Sequence, residues 1–173
     1  MDDPSKPPSD EAQRLLSILT NHFGTVGKGG TSRALALERA FIGLLRSVKE
    51  EVQKEFDERQ KEEAAHYKQR TDGAWLKKRE DYYKAMSEAE YLRRRAGLIA
   101  VLLGWFGDVY RQQQGFSRLD YPNQAEVSKK LAGLWEPNEL SRRFRALEAL
   151  QRHLETNIQE TLALEAGFIA AFG

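Results

Sequence analysis

Glu63-Ala-Ala-His66 is the stretch of this chain whose residue types and spacing come nearest to a metal site. On a helix, Glu-x-x-His puts a carboxylate and an imidazole on one face, as in the carboxylate-bridged di-iron bundles. Those sites also need a second Glu-x-x-His and a glutamate from each of two other helices, all pointing into the core. No second copy occurs here, and Glu63 lies in the most charged part of the chain, EEVQKEFDERQKEEAAHYKQR. The pair therefore reads as an exposed glutamate and histidine, and no metal or other cofactor is expected. A metal-dependent helical-bundle enzyme built on Glu63 and His66 is the reading that metal analysis of the purified protein would test.

The other chemistry-bearing patterns fail in a similar way. A phosphate-cradling loop needs Gly, four residues, then Gly-Lys-Ser/Thr. In Gly24 to Gly30, GTVGKGG, Lys28 follows Gly27, but Gly29 comes next and His22 stands where the first glycine belongs. No apolar strand precedes it, so the segment reads as a connector. The chain has no cysteine, which removes disulfides, thiolate metal sites and cysteine nucleophiles. His22, His66 and His153 lie in no sequence pattern with a nucleophile and its base. Lys77-Lys78-Arg79, Arg93-Arg94-Arg95 and Arg142-Arg143-Arg145 are basic, but acidic neighbours such as Glu80-Asp81 and Glu88-Glu90 accompany them. With 27 Lys+Arg against 26 Asp+Glu, the net charge of +1 gives no global footprint for nucleic acid. The clusters read as solvated helix faces, and Trp75, Trp105 and Trp135 as packing residues. No catalytic constellation results.

The elements behind these residues are helical throughout. Gly97 to Gln114, GLIAVLLGWFGDVYRQQQ, has apolar groups on nearly every side, which marks a buried helix. It is shorter than the about 20 apolar residues a bilayer requires, so it forms the centre of the core. Before it, Met1 to Ser9 is acidic and proline-rich and is expected to be disordered. Asp10 to Phe23 reads as a short amphipathic helix, with Leu15, Leu16, Ile18, Leu19 and Phe23 on one side. A second helix starts at Thr31 with Leu35, Leu37, Phe41, Ile42, Leu44, Leu45 and Val48. Past Lys49, Val52, Phe56, Ala64 and Tyr67 leave a thin seam, and Thr71-Asp72-Gly73 is a turn signal. Trp75, Leu76, Tyr82, Tyr83, Met86, Ala89 and Leu92 then supply the opposing seam of an antiparallel hairpin over about 49–92. About 25 residues per arm would make it roughly 35 Å long, long enough to protrude.

After Gly115 the sequence reads as loop FSRLDYP, a short helix over Asn123 to Leu134 opened by Pro122, and a restart at Glu136-Pro137-Asn138. Leu140, Phe144, Leu147, Leu150 and Leu154 mark one face of the next helix. Thr156 or Asn157 is expected to cap a last helix, with Gln159 or Glu160 completing a capping box. The expected fold is all-α, one helical domain over 31–173 preceded by a short helix and glycine-rich connector over 10–30. The N-terminus shows no basic-then-apolar signal pattern, so a cytoplasmic location is expected.

The C-terminal half resembles a known family. Leu147, Leu150 and Leu154 followed by Asn157-Ile-Gln-Glu-Thr-Leu162-Ala-Leu164-Glu165 resemble the end of bacterial DNA polymerase III clamp-loader subunits. There a leucine-rich helix leads to Asn-x-Asn-Pro-x-Leu-x-Leu-Glu and an apolar last helix. LLGWFGDVYRQQQG is similar to the family's leucine- and tryptophan-rich helix, and SRLDYPNQAEVSKKLAGLWEPNELSRRFRAL to its loop, short helix and next long helix. The delta-prime type is the most similar. Gly30-Thr31-Ser32-Arg33-Ala34-Leu35 is faintly similar to the stretch near the family's lid-to-collar boundary. Gln159 and Glu160 depart from the usual Asn and Pro, and the hairpin is longer than the family's connection.

The resemblance implies the helical collar that holds five subunits in a ring while their motor domains open the sliding clamp. The two ATPase-type domains, with their P-loop and any zinc module, have no counterpart here, which implies an excised C-terminal domain or a protein that kept only that part. The implied role is subunit assembly in DNA replication, non-catalytic in itself. The implied partners are motor and delta-type clamp-loader subunits, with indirect association with the sliding clamp and primed DNA. The implied interface residues are Asn157, Leu164 and Phe168, although Asn157 also suits a helix cap and Phe168 a core position. A free-standing hairpin adaptor that binds a partner helix through 49–92 is the competing reading.

Overall fold

The computed structural model of the chain describes residues 8–24, 30–67, 73–156 and 158–173. The expected disordered tail up to residue 7, Gly27 to Gly29 of the glycine loop, Thr71-Asp72 and Asn157 lie outside them, as does the side chain of Tyr67. The described residues form six α-helices and one short 3-10 turn, with no strand among them: α1 (Asp10–Gly24), α2 (Thr31–Tyr67), α3 (Gly73–Gln113), the turn Pro122–Gln124, α4 (Ala125–Leu134), α5 (Pro137–Leu154) and α6 (Glu160–Phe172). The fold is an all-α helical bundle, as the periodicity predicts.

Two compact units divide the chain, one made of residues up to 44 together with 97–173, the other of 45–96. The first unit holds the main core. Trp105, Phe106, Leu102 and Val109 of α3 are fully enclosed. Phe23 of α1 stacks on Trp105 with ring centroids 5.4 Å apart, and Phe106 stacks on Trp135 at 5.5 Å. Phe172 of α6 meets Phe106 at 5.5 Å, and Phe168 meets Phe41 of α2 at 5.1 Å. Large aromatic faces in offset or edge contact bring the greatest apolar burial per residue, which is why these elements converge there. The all-round burial expected of Gly97 to Gln114 is incomplete, because Tyr110 is 47% exposed.

The helix ends follow local chemistry. Ser9 Oγ accepts from the Ala12 N–H at 3.3 Å, with Asp10 and Glu11 in the first turn of α1. α3 ends in a Schellman turn: Gly115 adopts φ +79°, the Phe116 N–H reaches Arg111 O at 2.8 Å, and the Gly115 N–H reaches Gln112 O at 3.1 Å. Pro137 opens α5 in its first turn. The expected capping box does not form at Thr156, and its alternative at Asn157 lies outside the described residues. Thr156 Oγ1 donates to His153 O at 2.7 Å, and α6 starts at Glu160 without a side-chain cap. α5 and α6 pack closely at Gly167, where a Cβ would lie 2.9 Å from Leu150 Cβ.

In the second unit, α2 and α3 run antiparallel. Gln53 pairs with Ser87 at 3.3 Å, Glu55 with Arg94 at 3.0 Å and Glu63 with Arg79 at 2.7 Å, while Lys49 Nζ lies 5.1 Å from the Tyr91 ring centre. Leu45, Val48, Val52, Phe56 and Tyr91 are its buried apolar residues. The α3 side of this seam differs from the expected one. Leu76, Tyr82, Met86, Ala89 and Leu92 are exposed; of the expected residues Tyr83 stays on the inner side, joined there by Arg79, Ser87, Tyr91 and Arg94.

Candidate interaction surfaces

Glu63 is committed to the hairpin. Its Oε2 accepts from Arg79 Nε at 3.0 Å and Nη2 at 2.7 Å. The Arg79 guanidinium, and then the Tyr83 hydroxyl, hold the Glu63 carboxyl below its ordinary range. Arg79 in turn stacks over Tyr82 at 4.5 Å and Tyr83 at 5.2 Å. His66 is exposed, and no group of three or more potential metal ligands occurs among the described residues. The paired, stacked geometry uses Glu63 as a cross-hairpin clasp.

The basic clusters are engaged likewise. Glu90 accepts from Arg93 Nη2 at 2.7 Å and from Arg94 Nε at 2.8 Å, and these guanidinium bonds hold its carboxyl at about 2. Arg143, 3% exposed, donates to Ala171 O at 2.6 Å, Gly173 O at 3.0 Å and Glu139 Oε1 at 2.6 Å, with its guanidinium 4.8 Å from the Trp135 ring centre. Arg142 donates to Ala170 O at 3.2 Å. Three carbonyls at the end of α6 thus find cations on α5, where the helix leaves acceptors unsatisfied. Trp105 and Trp135 are buried, and Trp75 is half-buried. Trp105 Nε1 is buried without a hydrogen-bond partner among the described residues, a desolvation cost set against the ring's apolar burial.

Asp108 is a functional-looking group that the apolar reading of its helix passes over. It is fully buried, and its carboxylate accepts from the backbone N–H groups of Asp120 at 2.8 Å and Tyr121 at 2.7 Å and from Arg111 Nη1 at 2.6 Å. Arg111 also donates to Asp120 at 2.8 Å, which raises its own basicity, Asp120 contributing most. The Tyr121 ring sits where a Cβ on Gly104 would be 3.2 Å away, and burial pushes its phenol up. Asp108 therefore docks the loop after α3 onto that helix. The one sequence signal that points to it is its acidic side chain inside an apolar run, where a buried carboxyl group requires partners.

Two of the implied interface residues, Leu164 and Phe168, occupy core positions. Leu164 is 1% and Phe168 0% exposed, so they pack within the chain and offer no surface to a neighbour. Asn157 lies outside the described residues. The apolar groups left open near α6 are Ile158, 44% exposed and just before the helix, and Leu162, 59% exposed, which is followed on its ridge by exposed Ala166 and Ala170. No helix among the described residues is long and apolar enough to cross a membrane. Comparison of the chain with protein-family models, with curated proteins and with solved structures gives no match.

Proposed function

We propose that the chain is an assembly module of the clamp-loader collar type, delta-prime-like and non-catalytic in itself, that joins motor and delta-type subunits in a ring acting on the sliding clamp and primed DNA in the cytoplasm. The observation that carries this reading is α6. Its sequence, ETLALEAGFIAAF, is apolar on nearly every side, a composition that belongs to an enclosed helix. One of its ridges, from Leu162 through Ala166 to Ala170, is nevertheless exposed, as is Ile158 just before the helix. An apolar ridge bordered by polar groups suits a subunit contact. The residues of that contact are then Ile158 and Leu162 and not the enclosed Leu164 and Phe168. The order of long helix, loop, short helix, long helix and apolar last helix supports the same reading.

The test is to mix the chain with motor and delta-type clamp-loader subunits of the same organism and measure mass by size exclusion with light scattering. Co-elution at defined stoichiometry, lost on I158E/L162E without loss of helicity, is the expected result. Separate elution of folded, concentrated components would overturn it. A second reading, a hairpin adaptor, is favoured by the exposed Tyr82, Met86 and Leu92 of the 45–96 unit. Deleting 49–92 distinguishes the two: the collar keeps its ring contacts, and the adaptor loses its partner.

A further inference from the structure

One eight-residue motif occurs twice in the first unit: Leu35-Ala-Leu-Glu38-Arg-Ala-Phe41-Ile42 in α2 and Leu162-Ala-Leu-Glu165-Ala-Gly-Phe168-Ile169 in α6, differing only at its fifth and sixth residues. The ring contact of Phe41 with Phe168, centroids 5.1 Å apart, brings the two copies together, and Glu38 and Glu165 each lie one turn from it. Spacings of three and four residues put each glutamate between a leucine and an isoleucine on its own helix. Leu162 is exposed, and Leu35, Ile42 and Ile169 are half-buried, so both rows reach the surface. Glu38 is 6% exposed, yet its carboxylate accepts no hydrogen bond and forms no ion pair among the described residues. The nearby Glu165 carboxylate adds to burial in raising its pKa. We propose that these two carboxylates together receive one arginine or lysine of a partner helix, whose apolar neighbours pack on the leucines and isoleucines beside them.

Charge decides the occupant. A carboxylate held largely out of water beside a second one is costly to the isolated chain. Arg39 offsets only part of that cost, because it is exposed and makes no ion pair with Glu38 among the described residues. A metal ion would need further ligands, and no group of three or more occurs among the described residues. An apolar helix laid over this surface would leave both charges unpaired, and an acidic one would add to them. A second copy of the same face would set two carboxylates against two. A guanidinium or ammonium group on an amphipathic helix satisfies both, with apolar groups a turn away for Leu162 and Ile169. Leu162 also begins the exposed α6 ridge, so this assignment depends on the α6 contact of the proposed function, but not on which ring subunit supplies the helix.

The probe is a blocked, otherwise uncharged helical peptide of about 18 residues with leucine, arginine and leucine on one face, beside a twin with glutamine in place of the arginine. Two turns of each helix make a contact smaller than a standard interface, so binding of the arginine peptide to the whole chain should be half complete on the order of 100 µM. Backbone amide shifts should be largest in 35–42 and 162–169. The glutamine twin should bind about tenfold more weakly, the worth of one charge-assisted hydrogen bond at a half-exposed site. E38Q/E165Q should bind both peptides alike, with helicity unchanged because neither carboxylate holds a partner within the described chain. Equal binding of the two peptides by the parent, a preference that survives E38Q/E165Q, or no binding up to about 1 mM overturns the proposal. Co-elution with clamp-loader subunits is a separate result. Its absence alongside a clear arginine preference removes the collar reading only, and its survival in E38Q/E165Q alongside indifferent peptides removes the cation site only.

Discussion

Replacing Asp108 with alanine should release the loop after α3 and destabilise the unit formed by 1–44 and 97–173. The carboxylate is fully buried and accepts two backbone N–H groups, from Asp120 and Tyr121, besides Arg111. A hydrogen bond to a charged acceptor is worth about 1.5–3 kcal/mol net, and the half-buried Tyr121 limits how far water can replace it. Two such losses amount to about 3–6 kcal/mol. At roughly 2–4 °C per kcal/mol for a chain of this size, Tm should fall by about 6–24 °C. D108N keeps one acceptor oxygen and turns an amide donor toward the second N–H, so it should lie near the middle of that loss. Urea unfolding followed by tryptophan fluorescence in a W75F background reads Trp105 and Trp135, both buried in the affected unit. Hydrogen exchange should show residues 117–121 losing protection first. A D108A variant within 1 kcal/mol of the parent, with no change in that loop, would refute the reasoning that the buried carboxylate organises it.

Three further perturbations are graded by the same contacts. G167A would normally gain about 1 kcal/mol of helix propensity, but its Cβ would lie 2.9 Å from Leu150 Cβ, Cδ1 and Cδ2; a net loss of about 1–2 kcal/mol in urea midpoint is expected because Leu150 cannot swing its Cβ aside. R143A removes the buried cation that ties Ala171 O and Gly173 O to α5, so α6 amides should exchange faster and stability should drop by about 3 kcal/mol; unchanged exchange in α6 would count against the clamp. Glu38 is 6% exposed, and burial, then the nearby Glu165 carboxylate, raise its pKa against a smaller opposing effect of Arg39. A folded-state pKa above the unfolded one means that protonation favours the fold, so this stability is full below the ordinary carboxylate range and is lost as pH rises through the raised value. E38Q should therefore stabilise the protein at pH 7 and leave it unchanged in acid; equal melting shifts at both pH values would refute that assignment.

Helix existence was legible because 3.6-residue periodicity is a property of consecutive residues. The start of α5 at Pro137, the glycine stop after α3 and the span of α4 all follow from such local signals. What was not legible depends on which face each helix turns toward its neighbours. Leu164 and Phe168 carry the same apolar character as Leu162, and nothing in their types says that Phe168 meets Phe41 across the core while Leu162 remains at the surface. Asp108 was hidden by the opposite effect. Its surroundings are so apolar that the helix reads as uniform, and its partners, the Asp120 and Tyr121 N–H groups, have no side-chain signature at all.

The hairpin shows most clearly why counting apolar residues chooses the wrong face. α3 offers two stripes along 75–96, and the one richer in apolar groups runs through Tyr82, Met86 and Leu92. The opposite arm supplies Val52 and Phe56 but also Gln53, Glu55 and Glu63, whose charges and amide need partners. Those partners are Arg79, Ser87 and Arg94, which lie on the other stripe. A carboxylate and a guanidinium brought together at a half-buried seam satisfy each other, whereas either left facing an apolar helix would bear its desolvation uncompensated. Polar complementarity between the arms thus selects the inner face, and the more apolar stripe is left open. The same reasoning applies to α6, where the enclosed side carries Phe168 and Phe172 and the surplus apolar ridge begins at Leu162. In both units the apolar residues beyond what the chain's own packing consumes are the ones left at the surface.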